Sequence, residues 1–125
     1  MSKKILFIED EFALQKTLGE FLRQEGYEVI SALDGEVGLR SAGQERPDLI
    51  LLDLVLPKAN GFSVLEQLKK DEGTKRIPVM VLTNLESLSD IDRAIELGAT
   101  TYLVKAQYSL EEVLEKINAV FQNIR

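Results

Sequence analysis

The sequence contains neither cysteine nor histidine. Without cysteine the chain forms no disulfide and offers no thiolate for catalysis. Without histidine it has no histidine general base, no histidine metal ligand and no residue that could become a phosphohistidine. These two absences exclude four common kinds of catalytic or metal site.

Positive charge is also scarce. The chain has 15 Lys and Arg against 21 Asp and Glu, a net charge of −6 and a pI of about 4.7. Domains that bind nucleic acid through a basic face usually have a pI above about 9. We therefore expect no direct contact with nucleic acid and no adsorption to anionic membranes.

Long apolar segments are missing as well. The longest, from Leu49 to Leu56, is interrupted by Asp53 and is too short to span a bilayer. No secretory signal precedes the first predicted strand, so a cytoplasmic protein is expected. At 125 residues, with 45% hydrophobic residues, the sequence fits one domain with a core of its own. We predict a single domain over residues 1–125 with no output domain.

Aliphatic segments alternate with amphipathic ones along the chain. The predicted strands are Lys4–Ile8, Tyr27–Ser31, Leu49–Asp53, Val79–Leu82 and Thr101–Val104. Three of them are almost wholly aliphatic, as buried parallel strands are. Apolar residues between them recur at helical spacing, and the last stripe comprises Leu110, Val113, Leu114, Ile117, Phe121 and Ile124. The pattern predicts an α/β fold: a doubly wound, five-stranded parallel sheet in a three-layer α/β/α sandwich.

Local signals indicate where helices begin and end. Ser109 followed by Glu112 is a capping box that opens the last helix. Gly26, Gly73 and Gly98 stand where the first, third and fourth helices are expected to stop.

Polar residues stand at the carboxyl ends of the predicted strands. Asp53 follows an aliphatic segment, where a carboxylate is costly unless it has partners. Glu9 and Asp10 follow the first strand, Thr83 the fourth and Lys105 the fifth. In open α/β sheets, ligands bind beyond this edge. Glu9, Thr83 or Lys105 alone is explained by a surface or turn position, whereas the aliphatic setting of Asp53 is not explained in this way. The set at matching strand ends predicts a functional site.

The chemistry of this set favours a metal-assisted phosphoryl site. Clustered carboxylates repel one another unless they are protonated or share a hard cation, and Mg²⁺ prefers oxygen ligands. Asp10 and Asp53 would bind the ion directly, and Glu9 directly or through water. A carboxylate beside Mg²⁺ and the ammonium of Lys105 can act as a nucleophile toward phosphorus. The hydroxyl of Thr83 would then reach a phosphoryl oxygen.

Four motifs in this order carry a family resemblance: Ile8–Glu11, Leu51–Pro57 with Asn60-Gly61, Val81–Asn84 and Gly98–Lys105. From Lys3 to the last helix the chain resembles the receiver domain of two-component response regulators. The resemblance implies a (βα)5, flavodoxin-like fold similar to that of single-domain chemotaxis regulators.

The resemblance also implies roles at the site. Asp53 is the expected phosphoacceptor, and Lys105 the residue that pairs with the phosphoryl group. Glu9 and Asp10 are the expected acidic pair for Mg²⁺, together with Asp53 and the backbone carbonyl of Val55. The phosphodonor is expected to be a histidine kinase or a histidine phosphotransfer protein. The chain itself would catalyse only its own phosphorylation and dephosphorylation, and is not expected to be an enzyme in any other sense.

Thr83 and Tyr102 correspond to the family's switch pair. Once the phosphoryl group is present, Thr83 would move toward it, and the ring of Tyr102 would turn into the vacated space. The surface formed by the helix after Thr83, strand 101–104 and the last helix would then control binding of a downstream protein. The domain is expected to be a monomer or a phosphorylation-dependent dimer.

The chain departs from the family pattern at five positions. Glu9 replaces the commoner Asp, and Asn84 replaces a small residue. Ala106 follows the lysine where Pro, usually with a cis bond, is typical, so the bond could be cis or trans. Val55 and Leu85 are apolar beside the path of an attacking water, which predicts slow loss of the phosphoryl group.

Three other functions compete with that of a phosphorylated receiver. A receiver that works only as an interaction module, without phosphate, ranks second. A Mg²⁺-dependent phosphatase would need a second Asp where Val55 stands, and a lid domain. A flavodoxin-like cofactor binder would need a phosphate loop where Glu9 and Asp10 stand.

Phe12 is either an exposed docking residue for the phosphodonor or a half-buried staple.

Overall fold

In the computed structural model, which describes residues 2–123, strands and helices alternate throughout. The strands are β1 (Lys4–Ile8), β2 (Glu28–Ala32), β3 (Leu49–Leu52), β4 (Val79–Thr83) and β5 (Thr101–Val104). The helices are α1 (Phe12–Gln24), α2 (Gly35–Glu45), α3 (Gly61–Lys70), α4 (Leu88–Glu96) and α5 (Leu110–Gln122). A single 3₁₀ turn, Lys105–Gln107, joins β5 to α5. Ile124 of the predicted apolar stripe lies outside the described residues.

The five strands form one parallel sheet in the order β2-β1-β3-β4-β5. The strand order switches at β1, because β2 pairs with one side of β1 and β3 pairs with the other. Ile8 at the end of β1 lies beside Leu52 at the end of β3. The residues that follow these two strands therefore emerge next to each other at the carboxyl edge.

Helices cover both faces of the sheet, as the sequence pattern predicts. Alternate strand residues such as Leu6 and Ile50 pack against α2, α3 and α4, whereas Ile5 and Leu49 pack against α1 and α5. All four of these strand side chains are fully buried. The central strands are aliphatic on both sides because both faces are covered. The predicted three-layer sandwich with a doubly wound parallel sheet is confirmed.

Four strand boundaries differ from the prediction by one residue. β2 runs from Glu28 to Ala32 rather than from Tyr27 to Ser31, β3 ends at Leu52 rather than Asp53, and β4 extends to Thr83. Tyr27 belongs to the turn that closes α1, since its amide donates to Leu22 O at 3.1 Å and its ring stacks on Phe121. Its aromatic character indicated a strand, but its backbone amide completes the helix end.

The helix signals were largely correct. Gly26 and Gly98 adopt left-handed φ angles of 101° and 110° just after α1 and α4. Gly73 does not end α3, which stops at Lys70. The Ser109–Glu112 capping box is present in both directions, and its hydrogen bonds hold the pKa of the Glu112 carboxyl below its usual value. Within residues 2–123 no helix has the length and apolarity needed to cross a bilayer.

Candidate functional site

Three carboxylates meet where β1 and β3 end. Asp53 follows β3, and its amide donates to Ile8 O at 3.0 Å, which fixes it beside the end of β1. Glu9 is fully buried, Asp53 is 4% exposed, and Asp10 is exposed to solvent. Carboxylate oxygens of these three residues lie within 4.8 Å of one another. The structure thus brings together the three acids that the sequence places at strand ends.

Each buried carboxylate is held by a backbone amide two residues further on. Glu9 Oε2 accepts a hydrogen bond from Glu11 N at 3.0 Å, and Asp53 Oδ1 accepts one from Val55 N at 3.2 Å. The second oxygen of each carboxylate remains directed toward the shared space. This arrangement orients the acids without neutralising them.

Lys105 neutralises part of this charge. Its Nζ lies 2.6 Å from Glu9 Oε1 and 3.0 Å from Asp53 Oδ2, and Glu11 Oε1 is 3.8 Å away. Burial alone would lower the pKa of Lys105, but the hydrogen bonds to Glu9 and Asp53 outweigh it and raise the pKa. Burial raises the pKa of Glu9, and the bonds from Lys105 and the Glu11 amide oppose that rise. The site therefore holds one ammonium among four acids.

The residues present fit a magnesium ion. Carboxylate oxygens are the hard ligands that Mg²⁺ prefers, and waters complete its octahedral shell. Glu9, Asp10 and Asp53 supply such oxygens within 4.8 Å of one another. Asp10 is exposed, which leaves one side of the cluster open to solvent. The contribution of the Val55 carbonyl stays a prediction.

Thr83 and Tyr102 lie in the neighbouring strands β4 and β5, where Thr83 is level with Val104 and Tyr102 is level with Val81. Thr83 ends β4 and is fully buried, and its hydroxyl has no hydrogen-bond partner among residues 2–123. Tyr102 lies in the edge strand β5, half-buried, and its hydroxyl donates to Leu85 O at 2.8 Å. Burial, and then the charges of Asp90 and Asp53, raise the pKa of Tyr102. The ring therefore ties β5 to the loop that follows Thr83.

The structure also describes the departures from the family pattern. The Lys105–Ala106 bond is trans, as are all peptide bonds in the described chain, and Ala106 lies in the 3₁₀ turn. The side chain of Asn84 is exposed. Phe12 is 71% exposed and Val55 57% exposed. The exposed interpretation of Phe12 is the one that the structure supports.

One buried polar residue was missed by sequence reasoning. Gln15 of α1 is 5% exposed, and its Nε2 donates to the backbone carbonyls of Phe7, Glu9 and Ala32 at 2.8, 3.1 and 3.1 Å. It thereby fastens the ends of β1 and β2 and the backbone of Glu9. A signal was available, because Gln15 is a polar residue one helical turn before the buried Leu18.

Gly61 was quoted only as part of a motif, but it has a steric role. A Cβ there would lie 2.3 Å from Leu54 Cα and 2.7 Å from Asp53 O. Only glycine allows the first turn of α3 to approach the backbone that carries Asp53 so closely. The Asn60-Gly61 pair therefore positions the acid indirectly.

The comparisons with known proteins agree with this geometry. The sequence model of the response regulator receiver domain matches residues 5–118. The chain belongs to this family. It is a receiver domain of the kind found in two-component response regulators, as the motifs predicted.

Named relatives and solved structures extend the match. The chain is 40% identical to the DNA-binding dual master transcriptional regulator RpaA of Synechocystis over 95% of its own length and 49% of that protein. A CheY-like receiver domain protein from Methanospirillum hungatei superposes with a TM-score of 0.89 at 29% identity, covering 98% of this chain and 95% of that one. The receiver domain of a sensor histidine kinase from Pseudomonas aeruginosa, crystallised with magnesium in its active-site cleft, matches at 0.86 and 29%, covering 95% and 97%.

The receiver fold accounts for only part of the regulators to which the chain is similar. The chain spans about half the length of the curated relatives it matches. The prediction of a single domain over residues 1–125, without an output domain, is untested by these matches.

Proposed function

We propose that Asp53 accepts a phosphoryl group from a phosphohistidine of a histidine kinase or histidine phosphotransfer protein. One observation carries this proposal: the buried Asp53 carboxylate lies 3.0 Å from the Lys105 ammonium and shares an acidic cluster with Glu9 and Asp10. A nucleophilic carboxylate needs fixed geometry and nearby positive charge more than covalent assistance. This site supplies both.

The transfer consists of one in-line displacement. A carboxylate oxygen of Asp53 attacks phosphorus, a P–O bond forms, and the P–N bond to the donor imidazole breaks, with the electron pair leaving on nitrogen. The ammonium of Lys105, already within hydrogen-bond distance of Asp53, then pairs with a phosphoryl oxygen. These 125 residues contain no histidine, so the imidazole would come from outside the receiver domain.

We propose Mg²⁺ as the cofactor, held by Glu9, Asp10 and Asp53 with the carbonyl of Val55 and water. When bound, the ion would neutralise charge that develops on the phosphoryl oxygens. Support comes from the oxygen-rich donor set and from the similar Pseudomonas receiver, whose cleft coordinates magnesium. Glu9 rather than Asp at the first position lengthens one ligand by a methylene.

The output is a change in a protein-binding surface. Thr83 has a buried hydroxyl that lacks a partner among residues 2–123, and a phosphoryl oxygen would satisfy it. Movement of Thr83 would alter the loop to which the Tyr102 hydroxyl is bonded. We propose that the surface of α4, β5 and α5 thereby gains or loses affinity for a downstream protein. The domain would catalyse no reaction beyond its own phosphorylation and dephosphorylation.

The absence of nucleic-acid contact stays a prediction for this chain. RpaA of Synechocystis is named a DNA-binding regulator, but the chain covers only 49% of that protein. The net charge of −6 gives the domain itself no excess of cations for DNA. We propose that any effect on transcription comes through protein contacts or through a separate output domain.

Phosphorylation is tested with the protein, Mg²⁺ and acetyl phosphate. We expect a mass gain of one phosphoryl group that Asp53→Asn abolishes and that chelation of Mg²⁺ prevents. Asp92→Asn, a matched change at an exposed acid of α4, should leave the mass gain intact. Beryllofluoride with Mg²⁺ should shift amide resonances around Thr83 and Tyr102 in the wild type only.

The competing function is an interaction module that works without phosphate. Lys105 already pairs with Glu9 and Asp53, and this charge balance would suit a site that never receives a phosphoryl group. If neither acetyl phosphate nor a purified histidine phosphodonor modifies Asp53, and Mg²⁺ shifts no resonance near it, the proposal fails in favour of this alternative.

A further inference from the structure

The sheet edge opposite Asp53 carries a cavity of about 980 Å³. It lies beneath the amino ends of β1, β3, β4 and β5, where Lys3, Asp48, Pro78 and Thr100 precede their strands, and the end of α5 closes one side with Phe121. The acidic cluster lies beyond the other ends of the same strands. The cavity is therefore separate from the proposed phosphorylation site.

Cations dominate the lining although the protein as a whole is acidic. Five basic side chains face the cavity: Lys3, Arg46, Lys69, Arg76 and Lys116. In the part of the chain that the structure describes, two acids join them, and both are engaged: Asp48 accepts a hydrogen bond from Lys4 N at 2.7 Å, and Glu72 pairs with Lys75 at 2.7 Å. A local excess of positive charge in a chain of net charge −6 marks this cavity as different from the rest of the surface.

The cations have few anionic partners of their own. Among residues 2–123, the ion pairs involve none of Lys3, Arg46, Arg76 and Lys116. Lys69 Nζ, half-buried, donates only to backbone carbonyls, at 2.8 Å to Ile77 O and 3.4 Å to Lys75 O. Burial lowers the pKa of Lys69, as expected for an ammonium without a nearby carboxylate.

Helix ends explain some of this charge but not all of it. Arg46 caps α2 and Lys69 lies in the last turn of α3, where cations offset the negative end of the helix dipole. Lys3, Arg76 and Lys116 have no such position: they lie before β1, in the turns that follow α3, and in the middle of α5. Lys3 Nζ also lies 5.6 Å from the centroid of the Phe121 ring, and the charge of Lys116 helps to lower the pKa of the Glu112 carboxyl. Within the described residues 2–123 neither contact is an ion pair, so these three cations can still meet an external anion.

We propose that this cavity binds a small molecule that carries two or more linked phosphate groups. A single carboxylate would satisfy one cation, whereas cations contributed by several elements require a ligand with several charges. Arginine forks match phosphate oxygens in pairs. The volume lies in the usual range for small-molecule sites, about 300–1,000 Å³. Ile77, Pro78, Ala119 and Val120 add apolar surface for the remainder of such a ligand.

Pyrophosphate is the minimal probe, titrated into isotope-labelled Asp53→Asn protein without Mg²⁺ so that the acidic site cannot contribute. We expect amide shifts confined to the strand-entry turns around residues 46–48, 72–78 and 100–101. Arg76→Gln should weaken binding about tenfold or more, since a charged hydrogen-bond partner is lost. Arg40→Gln on the exposed face of α2 removes the same charge elsewhere and should leave the affinity within about twofold.

A second variant protects the test against a folding defect. Arg46 has a left-handed φ of 48°, and asparagine tolerates that conformation. Arg46→Asn should therefore fold normally and also weaken binding. Equal weakening by Arg40→Gln, shifts centred on residues 9, 10 and 105, no binding at millimolar pyrophosphate, or binding of a glutamate-rich peptide in its place would each overturn the proposal. Because Asp53 is already substituted, none of these results bears on phosphorylation.

Discussion

Lys105 Nζ lies 2.6 Å from Glu9 Oε1, joining the end of β5 to the end of β1 across the carboxyl ends of β3 and β4. The Glu9 side chain is fully buried and the Lys105 side chain is 14% exposed. The same ammonium reaches Asp53. One cation thus holds together acids that would otherwise repel each other.

Removing this cation should destabilise the fold and increase its dependence on magnesium. Breaking one partner of a buried pair costs about 3–5 kcal/mol, because the other charge is left uncompensated. We expect Lys105→Met to unfold at lower denaturant concentration than the wild type, and Mg²⁺ to raise its Tm by more. Lys75→Met, which breaks an exposed pair with Glu72, is the control. Equal losses in the two variants would contradict this prediction.

Removing the hydroxyl of Thr83 should leave the protein at least as stable as the wild type. Its Oγ1 is buried and has no hydrogen-bond partner among residues 2–123, and leaving such a group unsatisfied costs about 1–3 kcal/mol. Thr83→Val keeps the shape, so we expect stability equal to or above that of the wild type in urea unfolding. Thr74 is the matched control, since its buried hydroxyl donates to Leu68 O at 2.8 Å and Thr74→Val should destabilise. The Thr83 variant should also lose the beryllofluoride-induced shifts at Tyr102.

Tyr102→Phe should loosen the loop after β4. The variant loses only the hydroxyl that donates to Leu85 O, a change worth about 0.5–1.5 kcal/mol. We expect faster hydrogen exchange at residues 84–88 with little change in the sheet. Tyr108→Phe removes a hydroxyl from another half-buried tyrosine, on the turn before α5, and should leave that loop unchanged. Unaltered exchange in the Tyr102 variant would show that the contact is unimportant.

Gly61→Ala should displace the backbone that carries Asp53. The new Cβ would lie 2.3 Å from Leu54 Cα, so the backbone must move, and strain of this kind typically costs about 1–3 kcal/mol or more. We expect lower stability and slower phosphorylation of Asp53. Gly43→Ala is the opposite case: its Cβ would meet nothing within 4 Å, and a helical Gly-to-Ala change gains about 0.5–1 kcal/mol.

The aspartyl-phosphate should be long-lived. Val55 is 57% exposed and follows Asp53 closely, so its apolar side chain can neither bind nor orient an attacking water. We expect a half-life of minutes or more, and faster hydrolysis in Val55→Asn, measured by the decay of the phosphorylated mass. Leu33→Asn at another exposed apolar position should leave the rate unchanged. A wild-type half-life of seconds would contradict the prediction.

Much of the site was predictable because parallel strands end at a common edge. Glu9, Asp53 and Thr83 each follow or end a segment whose aliphatic character marks it as a strand. Once the order of alternation is known, topology brings these residues together with Lys105. The aliphatic strand sequences can be recognised along the chain, and the pairing of the strands brings the residues at their ends close together.

Other features depend on tertiary contacts that periodicity does not encode. Gln15 binds three carbonyls that belong to β1, β2 and the turn between β1 and α1, and nothing in its neighbours specifies those partners. Tyr27 has the aromatic side chain typical of a strand, but its amide donates to Leu22 O at the end of α1. The trans bond before Ala106 and the 3₁₀ turn around it follow from the loop's surroundings rather than from a repeating pattern.

The position of Lys105 near the end of the sequence has a consequence for synthesis of the chain. Lys105 follows β5 in the sequence. A nascent polypeptide that has emerged only through β4 therefore carries Glu9, Asp10 and Asp53 without the ammonium that pairs with Glu9 and Asp53. Asp53 therefore lacks the ammonium of Lys105 until nearly the whole fold has left the ribosome. If Asp53 is phosphorylated as proposed, a partly made chain would be a poor phosphoacceptor, and competence to accept the group would coincide with completed folding.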